Sequence, residues 1–212
     1  MQVSLEQKIK DKSAEVAVIG LGYVGLPLAV ELGKAGFHVT GIDTDADRVH
    51  NVKNAIPYIL DVDSNDIKKL VAKHTLVPTT DFRRLHRVDV IIICVPTPLK
   101  RKYQPNISYI KQAVTQIKQH LRKGQLVILE STTYPGTTDE VILPMLESTG
   151  LTCGRDFFLV FSPERIDPGN EKFPLRKIPK VVGGVTAGSA HLFKLLYENI
   201  IGARIVKAFS ME

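Results

Sequence analysis

Three glycines near the N-terminus have the spacing of a turn that binds phosphate. Gly20, Gly22 and Gly25 form the pattern G-x-G-x-x-G between an apolar run, EVAVIG, and a predicted helix, and Asp43 ends the next apolar run. In such a turn the first glycine allows a sharp bend, the second leaves room for a pyrophosphate, and the third lets helix and strand pack closely. The N–H groups at the helix start attract the phosphates. The pattern therefore predicts a dinucleotide site.

Asp43 indicates which dinucleotide the turn binds. A carboxylate at this point accepts hydrogen bonds from the hydroxyls of the adenosine ribose and repels a 2′-phosphate, so NAD is expected rather than NADP. Arg48 follows closely, and an arginine can receive a 2′-phosphate; beside Asp43 we expect it over the adenine or near the ribose. Two alternatives stay open. The glycines could only shape a turn, or they could serve an S-adenosylmethionine-dependent transferase with a similar turn and acid.

The segments that must position this site alternate between strand and helix. Short apolar runs such as FHVTGID, RVDVIIICVPTP, QLVILES and DFFLVFSPER alternate with stretches that predict helices, such as YVGLPLAVELGKAG, NISYIKQAVTQIKQHL and TTDEVILPMLEST. This order predicts an α/β fold, a doubly wound, mostly parallel sheet with helices on both faces (Rossmann-type). Residues 1–13 are expected to form a polar tail and residues 14–212 one domain. Ligands bind such sheets at the carboxyl ends of the strands, so function is sought in the loops there.

The composition fits such a protein and disfavours several other classes. Of 212 residues, 44% are hydrophobic and 24% are charged, and the formal net charge is +6. Neither a membrane-spanning run nor the apolar core of a secretory signal is present in the sequence, so a cytoplasmic location without membrane binding is expected. The positive charge suits a protein that handles phosphates, or a lysine-rich surface. Because it is scattered along the chain, nucleic-acid binding is not expected.

The cysteines do not predict a metal site or a disulfide framework. The chain has two of them, Cys94 and Cys153, and their spacing is unlike that of paired metal ligands. Cys94 lies in the apolar run VDVIIICVPTP and is expected to be buried in a strand.

Four motifs at the predicted strand ends carry a family resemblance. GLGYVGLPLA, VPTPL, ESTTYPGTT and SPERIDPGN occur in this order. Together they resemble the UDP-glucose/GDP-mannose dehydrogenase family, over almost the whole chain from about Val16 onward. SPERIDPGN is similar to the branch that oxidises UDP-N-acetylhexosamines such as UDP-N-acetylglucosamine, because Pro168 precedes Gly169 where the UDP-glucose branch usually has a second glutamate. UDP-N-acetylmannosamine, or an already oxidised N-acetylhexosamine derivative, stays open as the substrate.

The resemblance implies an NAD-dependent oxidation of the sugar C6 alcohol to a carboxylate. Family members use two NAD in succession, and the second oxidation passes through a thiohemiacetal and a thioester on a cysteine. The resemblance assigns one group of residues to the cofactor. These residues are Gly20, Gly22, Tyr23, Val24, Gly25, Asp43, Arg48, Thr97 and Thr132.

The same resemblance places four residues on the reacting side. Thr132 is expected to position a water or an oxyanion with its hydroxyl, and Glu164 to act as the acid/base carboxylate. Arg165 and Ile166 are expected to contact the sugar nucleotide. Simpler structural alternatives stay open: Tyr23 as a packed aromatic, Thr97 as a turn residue between two prolines, Thr132 as a helix start, and Glu164 with Arg165 as a surface ion pair.

The family's nucleophilic cysteine has no counterpart here. It lies in a later motif of the type G-G-x-C-I-P, which this sequence lacks, so neither Cys94 nor Cys153 is assigned the role. The family's catalytic lysine and asparagine lie on a later helix, which also forms much of a homodimer interface. We therefore expect the N-terminal NAD-binding part of a longer homo-oligomeric enzyme, able to bind NAD without turnover. A non-catalytic NAD-sensing or partner-binding module is the alternative.

Overall fold

The computed structural model describes residues 3–99, 105–164 and 179–200, and the backbone of residues 205–207. In this part of the chain one sheet has the strand order β3-β2-β1-β4-β5-β6-β7-β8. Neighbouring strands run parallel except for the antiparallel pair β6 and β7. The strands are β1 Glu15–Ile19, β2 His38–Ile42, β3 Leu76–Thr79, β4 Val90–Ile93, β5 Leu126–Leu129, β6 Phe158–Phe161, β7 Lys180–Gly184 and β8 Ile205–Lys207. The predicted doubly wound, mostly parallel sheet is confirmed.

Helices connect most of the parallel strands. They are α1 Leu5–Lys10, α2 Gly25–Lys34, α3 Ala46–Lys53, α4 Ser64–Ala72, α5 Ser108–His120, α6 Leu143–Glu147 and α7 Ala187–Ile200, with a 3₁₀ turn at Phe82–His86 and a π-helical segment at Thr137–Ile142. Asp45 and Asp63 accept hydrogen bonds from first-turn N–H groups and so begin α3 and α4. Gly36, with φ 101°, follows the end of α2. No helix among the described residues is long and apolar enough to cross a membrane.

Two apolar cores cover the two faces of the sheet. Alternate residues of β1 point to opposite sides: Val16 and Val18 join the core that includes α2 and α7, and Ala17 joins the core that includes α5. On β4 and β5 every residue is fully buried, because helices cover both faces of the central strands. The central part of the sheet is therefore rigid, and its strand ends can hold side chains in place.

The structure departs from the sequence-based expectations at three elements. Residues 1–13 were expected to be a polar tail, yet they include α1, whose Ile9 is fully buried against the core. The edge strand β3 was not predicted, because Pro78 interrupts its short apolar run. The helix expected over TTDEVILPMLEST is divided into the π-helical segment and α6, where Pro144 lacks the N–H of a regular helix.

Cys94 also lies outside the strand in which it was expected. β4 ends at Ile93, and Cys94 is the next residue, with its N–H donating to the carbonyl of Ile19 at 2.8 Å. The thiol is buried as predicted, but at the carboxyl edge of the sheet rather than within it. That edge is where the loops of interest meet.

Candidate functional site

A cleft of about 800 Å³ opens at the carboxyl ends of β1, β2, β4, β5 and β6. Because parallel strands end at the same edge, loops that are far apart in sequence converge there. One wall is the face of α5 that carries Tyr109, Gln112 and Gln116, which sequence reasoning did not identify. The cleft brings together most of the predicted site residues: Gly20, Gly22, Tyr23, Val24, Asp43, Arg48, Thr97, Thr132 and Glu164. Arg165 and Ile166 lie outside the described residues.

The glycine turn has the shape that a bound pyrophosphate requires. Gly20 has φ 95°, and a Cβ there would overlap the carbonyl of Cys94. A Cβ on Gly25 would overlap the carbonyl oxygen of Gly20, so this glycine lies beneath the turn rather than in the cleft. A Cβ on Gly22 would meet nothing within 4 Å, since this residue faces open space. The turn therefore has its free volume at the middle glycine.

Helix α2 begins directly after this turn. The N-cap residue, Val24, makes no side-chain hydrogen bond to the first turn, so the helix start keeps its partial positive charge for a ligand. The turn is held from outside by Tyr58, whose hydroxyl donates to the carbonyl of Leu21 at 2.7 Å. Burial raises the pKa of Tyr58 above its ordinary value, so this hydroxyl keeps its proton. Sequence reasoning missed Tyr58 because it lies in an irregular segment.

Asp43 is fixed at one end of the cleft. Its carboxylate accepts hydrogen bonds from the N–H of Leu21 at 2.7 Å and of Asp45 at 2.9 Å, and its exposed fraction is only 5%. A guanidinium nitrogen of Arg48 lies 3.4 Å from the same carboxylate. The acid is therefore oriented by the protein itself, and the arginine lies beside it.

The loops after β4 and β5 are tied to each other. The hydroxyl of Ser131 donates to the carbonyl of Val95 at 2.7 Å, and Thr97 and Thr132 of the same two loops both line the cleft. Thr132 is exposed and lies before the π-helical segment, whose first residue is Thr137, so it does not start a helix. Tyr23 is 62% exposed, which does not fit a packed aromatic.

A buried polar cluster forms the floor of the cleft at the ends of β5, β6 and β7. Glu164 accepts a hydrogen bond from the Lys180 ammonium at 2.7 Å, and Glu130 accepts one from the same ammonium at 2.9 Å. The hydroxyl of Tyr197 donates to the other oxygen of Glu130. We call these four residues the Lys180 cluster. Of its members sequence reasoning singled out only Glu164, although Glu130 begins the motif ESTTYPGTT.

Charge and burial compete within this cluster. Burial raises the pKa of Glu130 to about 7, although the nearby ammonium opposes this shift. Burial opposes the charge of Lys180 as well, but the two carboxylates outweigh it and raise the lysine pKa to about 12. The ammonium therefore stays charged in the folded protein, where the two glutamates that line the cleft accept its hydrogen bonds.

The two cysteines lack the properties of a nucleophile. Burial raises the pKa of the Cys94 thiol well above its ordinary value, and it also raises that of Cys153. Both thiols are therefore protonated at neutral pH, which disfavours nucleophilic attack. In the described part of the chain, no group of His, Cys, Asp and Glu side chains could hold a metal ion.

Comparison with known proteins identifies relatives that match most of the chain. Residues 14–201 match the model of the UDP-glucose/GDP-mannose dehydrogenase family, NAD binding domain. UDP-N-acetyl-D-glucosamine 6-dehydrogenase of Pseudomonas aeruginosa is 41% identical over 95% of this chain and 47% of its own length. The enzyme of the same name from Salmonella typhi is 38% identical over 93% of this chain and 46% of its own length.

A solved structure shows the same arrangement of elements. UDP-D-ManNAc dehydrogenase from Pyrococcus horikoshii superimposes with a TM-score of 0.87 at 33% identity, over 93% of this chain and 47% of that chain. The chain thus spans about half the length of the relatives that it matches. The matched family description confirms NAD as the cofactor predicted from the glycine turn and Asp43.

Proposed function

The chain belongs to the UDP-glucose/GDP-mannose dehydrogenase family, and we propose that it supplies the NAD-binding part of a nucleotide-sugar 6-dehydrogenase. The observation that carries this proposal is the cleft itself. At one end it holds an oriented ribose-binding acid, Asp43, and at its floor a carboxylate, Glu164, held by a charged lysine. A module that only senses NAD has no need of an acid/base group on the opposite side of the cleft.

Several groups in the cleft suit the parts of NAD. The turn from Gly20 to Gly25 and the start of α2 receive the pyrophosphate, and Asp43 accepts hydrogen bonds from the adenosine ribose. Arg48 lies beside that ribose, where it has a partner in Asp43. Tyr23 and Val24 contact the cofactor from the turn, and Thr97 and Thr132 approach its nicotinamide end. When bound, NAD accepts a hydride from the substrate carbon.

The reacting side is assigned to Thr132 and Glu164. The Glu164 carboxylate would take the proton of the C6 hydroxyl, directly or through one water, as the alcohol is oxidised to the aldehyde. The Thr132 hydroxyl orients the reacting oxygen or that water. We assign Arg165 and Ile166 to the sugar nucleotide on the strength of the SPERIDPGN motif alone.

The proposed substrate is a UDP-N-acetylhexosamine, with UDP-N-acetylglucosamine first among the candidates. Two relatives that match almost the entire chain carry that substrate in their names. The cysteine of the second oxidation is expected elsewhere in a longer homo-oligomeric protein, because no G-G-x-C-I-P motif occurs in these residues. We also propose that the protein is cytoplasmic, where nucleotide sugars and NAD are available together.

The first test is calorimetric titration of the 212-residue chain with NAD, NADP and S-adenosylmethionine. We expect NAD to bind, NADP to bind more weakly, and S-adenosylmethionine not to bind. Asp43→Asn is expected to weaken NAD binding about 10- to 100-fold, because a hydrogen bond to a charged group contributes about 1.5–3 kcal/mol. Asp63→Asn, which changes the cap of α4 away from the cleft, is the matched control.

Two results would contradict the proposal. One is binding of S-adenosylmethionine with no response to NAD, which would favour a transferase. The other is steady formation of NADH when UDP-N-acetylglucosamine is added to this chain alone, since the chain is expected to bind the cofactor without turnover.

A further inference from the structure

Lys180 is almost completely removed from solvent, although it carries a charge. Its side chain is 1% exposed, and its ammonium contacts Glu130, which is fully buried, and Glu164, whose side chain is 7% exposed. The ammonium also lies 5.6 Å from the centroid of the Tyr197 ring. Burial of an ion pair contributes little to stability, because the desolvation of both ions offsets their attraction. The role of this charge therefore lies in its effect on the carboxylates that it contacts.

The sheet places Lys180 opposite Glu164 by register. β6 and β7 are antiparallel, with Val160 paired to Gly184 and Phe161 to Gly183. Continuing that register three residues toward the cleft brings Glu164 level with Lys180, the first residue of β7. The antiparallel pairing of β7 with β6 thus places the Lys180 ammonium beside the Glu164 carboxylate.

Other buried residues in turn hold the Lys180 side chain in place. Glu130 accepts hydrogen bonds from both Lys180 and the hydroxyl of Tyr197, while its backbone carbonyl accepts one from the N–H of Glu164 at 3.1 Å. Tyr197 is stacked on Phe193 with ring centroids 4.1 Å apart, which fixes its position on α7. The ammonium therefore cannot leave Glu164 without breaking several buried contacts.

We propose that Lys180 is a positioning residue that keeps the Glu164 carboxylate ionised and oriented at the cleft floor, with Glu130 and Tyr197 holding the lysine in place. This inference rests on the proposed function, in which Glu164 takes the proton of the substrate alcohol. A carboxylate must be ionised to accept a proton, and a fixed ammonium at 2.7 Å favours that form. Lys180 does not touch the reacting atoms and transfers no proton.

The experiment follows the titration of Glu164 by NMR in the chain labelled with ¹³C at the glutamate carboxyl groups. Glu164→Gln identifies the resonance. Among the residues that the structure describes, the titratable groups that face Glu164 include Glu130, Lys180, Tyr197 and Cys94. Removal of Lys180 alone would leave Glu130 as a buried charge without its cation, which is strongly destabilising. The comparison is therefore made between Glu130→Gln and the double variant Glu130→Gln/Lys180→Met.

In the Glu130→Gln background the loss of Lys180 is expected to move the midpoint of the Glu164 titration to higher pH. The matched control is Glu130→Gln/Lys194→Met, which removes a half-exposed lysine of α7 paired with Glu198 and should leave the midpoint unchanged. A structural role for Lys180 would lower stability without moving this midpoint. An unchanged midpoint in a folded double variant would overturn the proposal.

A measurement on the unaltered chain covers the case in which the double variant does not fold. The ¹⁵N-labelled ammonium of Lys180 is expected to be protected from exchange with water and to shift as Glu164 titrates. If the Lys180 ammonium exchanges rapidly with water and its signal does not shift as Glu164 titrates, the positioning role is refuted. Because neither readout needs NAD, a failure here differs from a failure of the proposed function, which shows as the absence of NAD binding.

Discussion

At the residue scale, the three glycines of the turn do different things although they share one motif. Gly20 and Gly25 are required by the protein's own packing, since a Cβ on either would overlap a backbone carbonyl. Gly22 meets no neighbour, so the protein's own packing does not demand glycine there. The free volume beside Gly22 is what a bound pyrophosphate would occupy.

This difference leads to a prediction for two substitutions. Gly22→Val is expected to leave the thermal midpoint within about 2 °C of the original, because the new side chain enters open space. It should weaken NAD binding on the order of tenfold or more, since the side chain occupies the pyrophosphate position. Gly25→Ala is expected to destabilise the fold by about 1–3 kcal/mol through overpacking. Thermal melts and calorimetry measure both effects, and equal loss of stability in the two variants would contradict the assignment.

At the element scale, the short helix α1 is part of the folded domain. It packs against α7, with Ile9 fully buried, and Lys8 reaches the Asp89 carboxylate at 2.9 Å. A helix of six residues is too short to be stable by itself, so these tertiary contacts must hold it in place. The N-terminal segment therefore contributes to the stability of the sheet that carries the cleft.

Truncation of Ile9 tests this contribution. Ile9→Ala is expected to lower the free energy of unfolding by about 2–5 kcal/mol, because it removes buried methyl groups and leaves a cavity. Urea denaturation measures the change. Val3→Ala is the control, since Val3 is 53% exposed and its loss should cost little. Equal urea midpoints for the two variants would show that α1 is only loosely attached.

At the scale of the whole molecule, Asp89 ties distant parts of the chain together. Its carboxylate accepts hydrogen bonds from the Lys8 ammonium and the Arg122 guanidinium, both at 2.9 Å, and from the N–H of Glu15 at 3.1 Å. Burial by itself would raise the pKa of Asp89, but these donors outweigh it and lower the pKa below the ordinary value of 3.8. The folded state therefore favours the ionised form.

The sign of this shift predicts how stability responds to acid. The contribution of Asp89 is complete above its ordinary pKa and is lost as the pH falls below about 3.8 through the lower folded-state value. Asp89→Asn should lower stability at neutral pH by on the order of 2 kcal/mol, because hydrogen bonds to a charged carboxylate are lost. It should also make the decline in stability below pH 4 shallower. Chemical denaturation across this range measures the slope, with the exposed Asp47→Asn as control; parallel slopes for all three proteins would contradict the prediction.

Much of the fold and half of the cleft follow from short-range patterns in the sequence. The glycine turn, the helix after it and Asp43 all lie within one β1-α2-β2 unit, so spacing alone predicts how they meet. Thr97, Thr132 and Glu164 follow apolar strands, and parallel strands end at one edge, so their convergence is predictable too. The matches to relatives confirm the family and the cofactor that these motifs indicated.

Only the tertiary structure decided what surrounds the proposed acid/base residue. Glu130 lies 50 residues before Lys180 and 67 before Tyr197, and these separations carry no periodic signal. The position of Lys180 depends on the antiparallel pairing of β7 with β6, a direction that the sequence pattern does not encode, and Tyr197 reaches Glu130 from α7. The sequence by itself determined the glycine turn, because its shape depends only on nearby residues of the β1-α2-β2 unit and on the room that glycines leave around the backbone. The sequence did not determine the charge state of the cleft floor, because burial and long-range ion pairing exist only after the chain has folded.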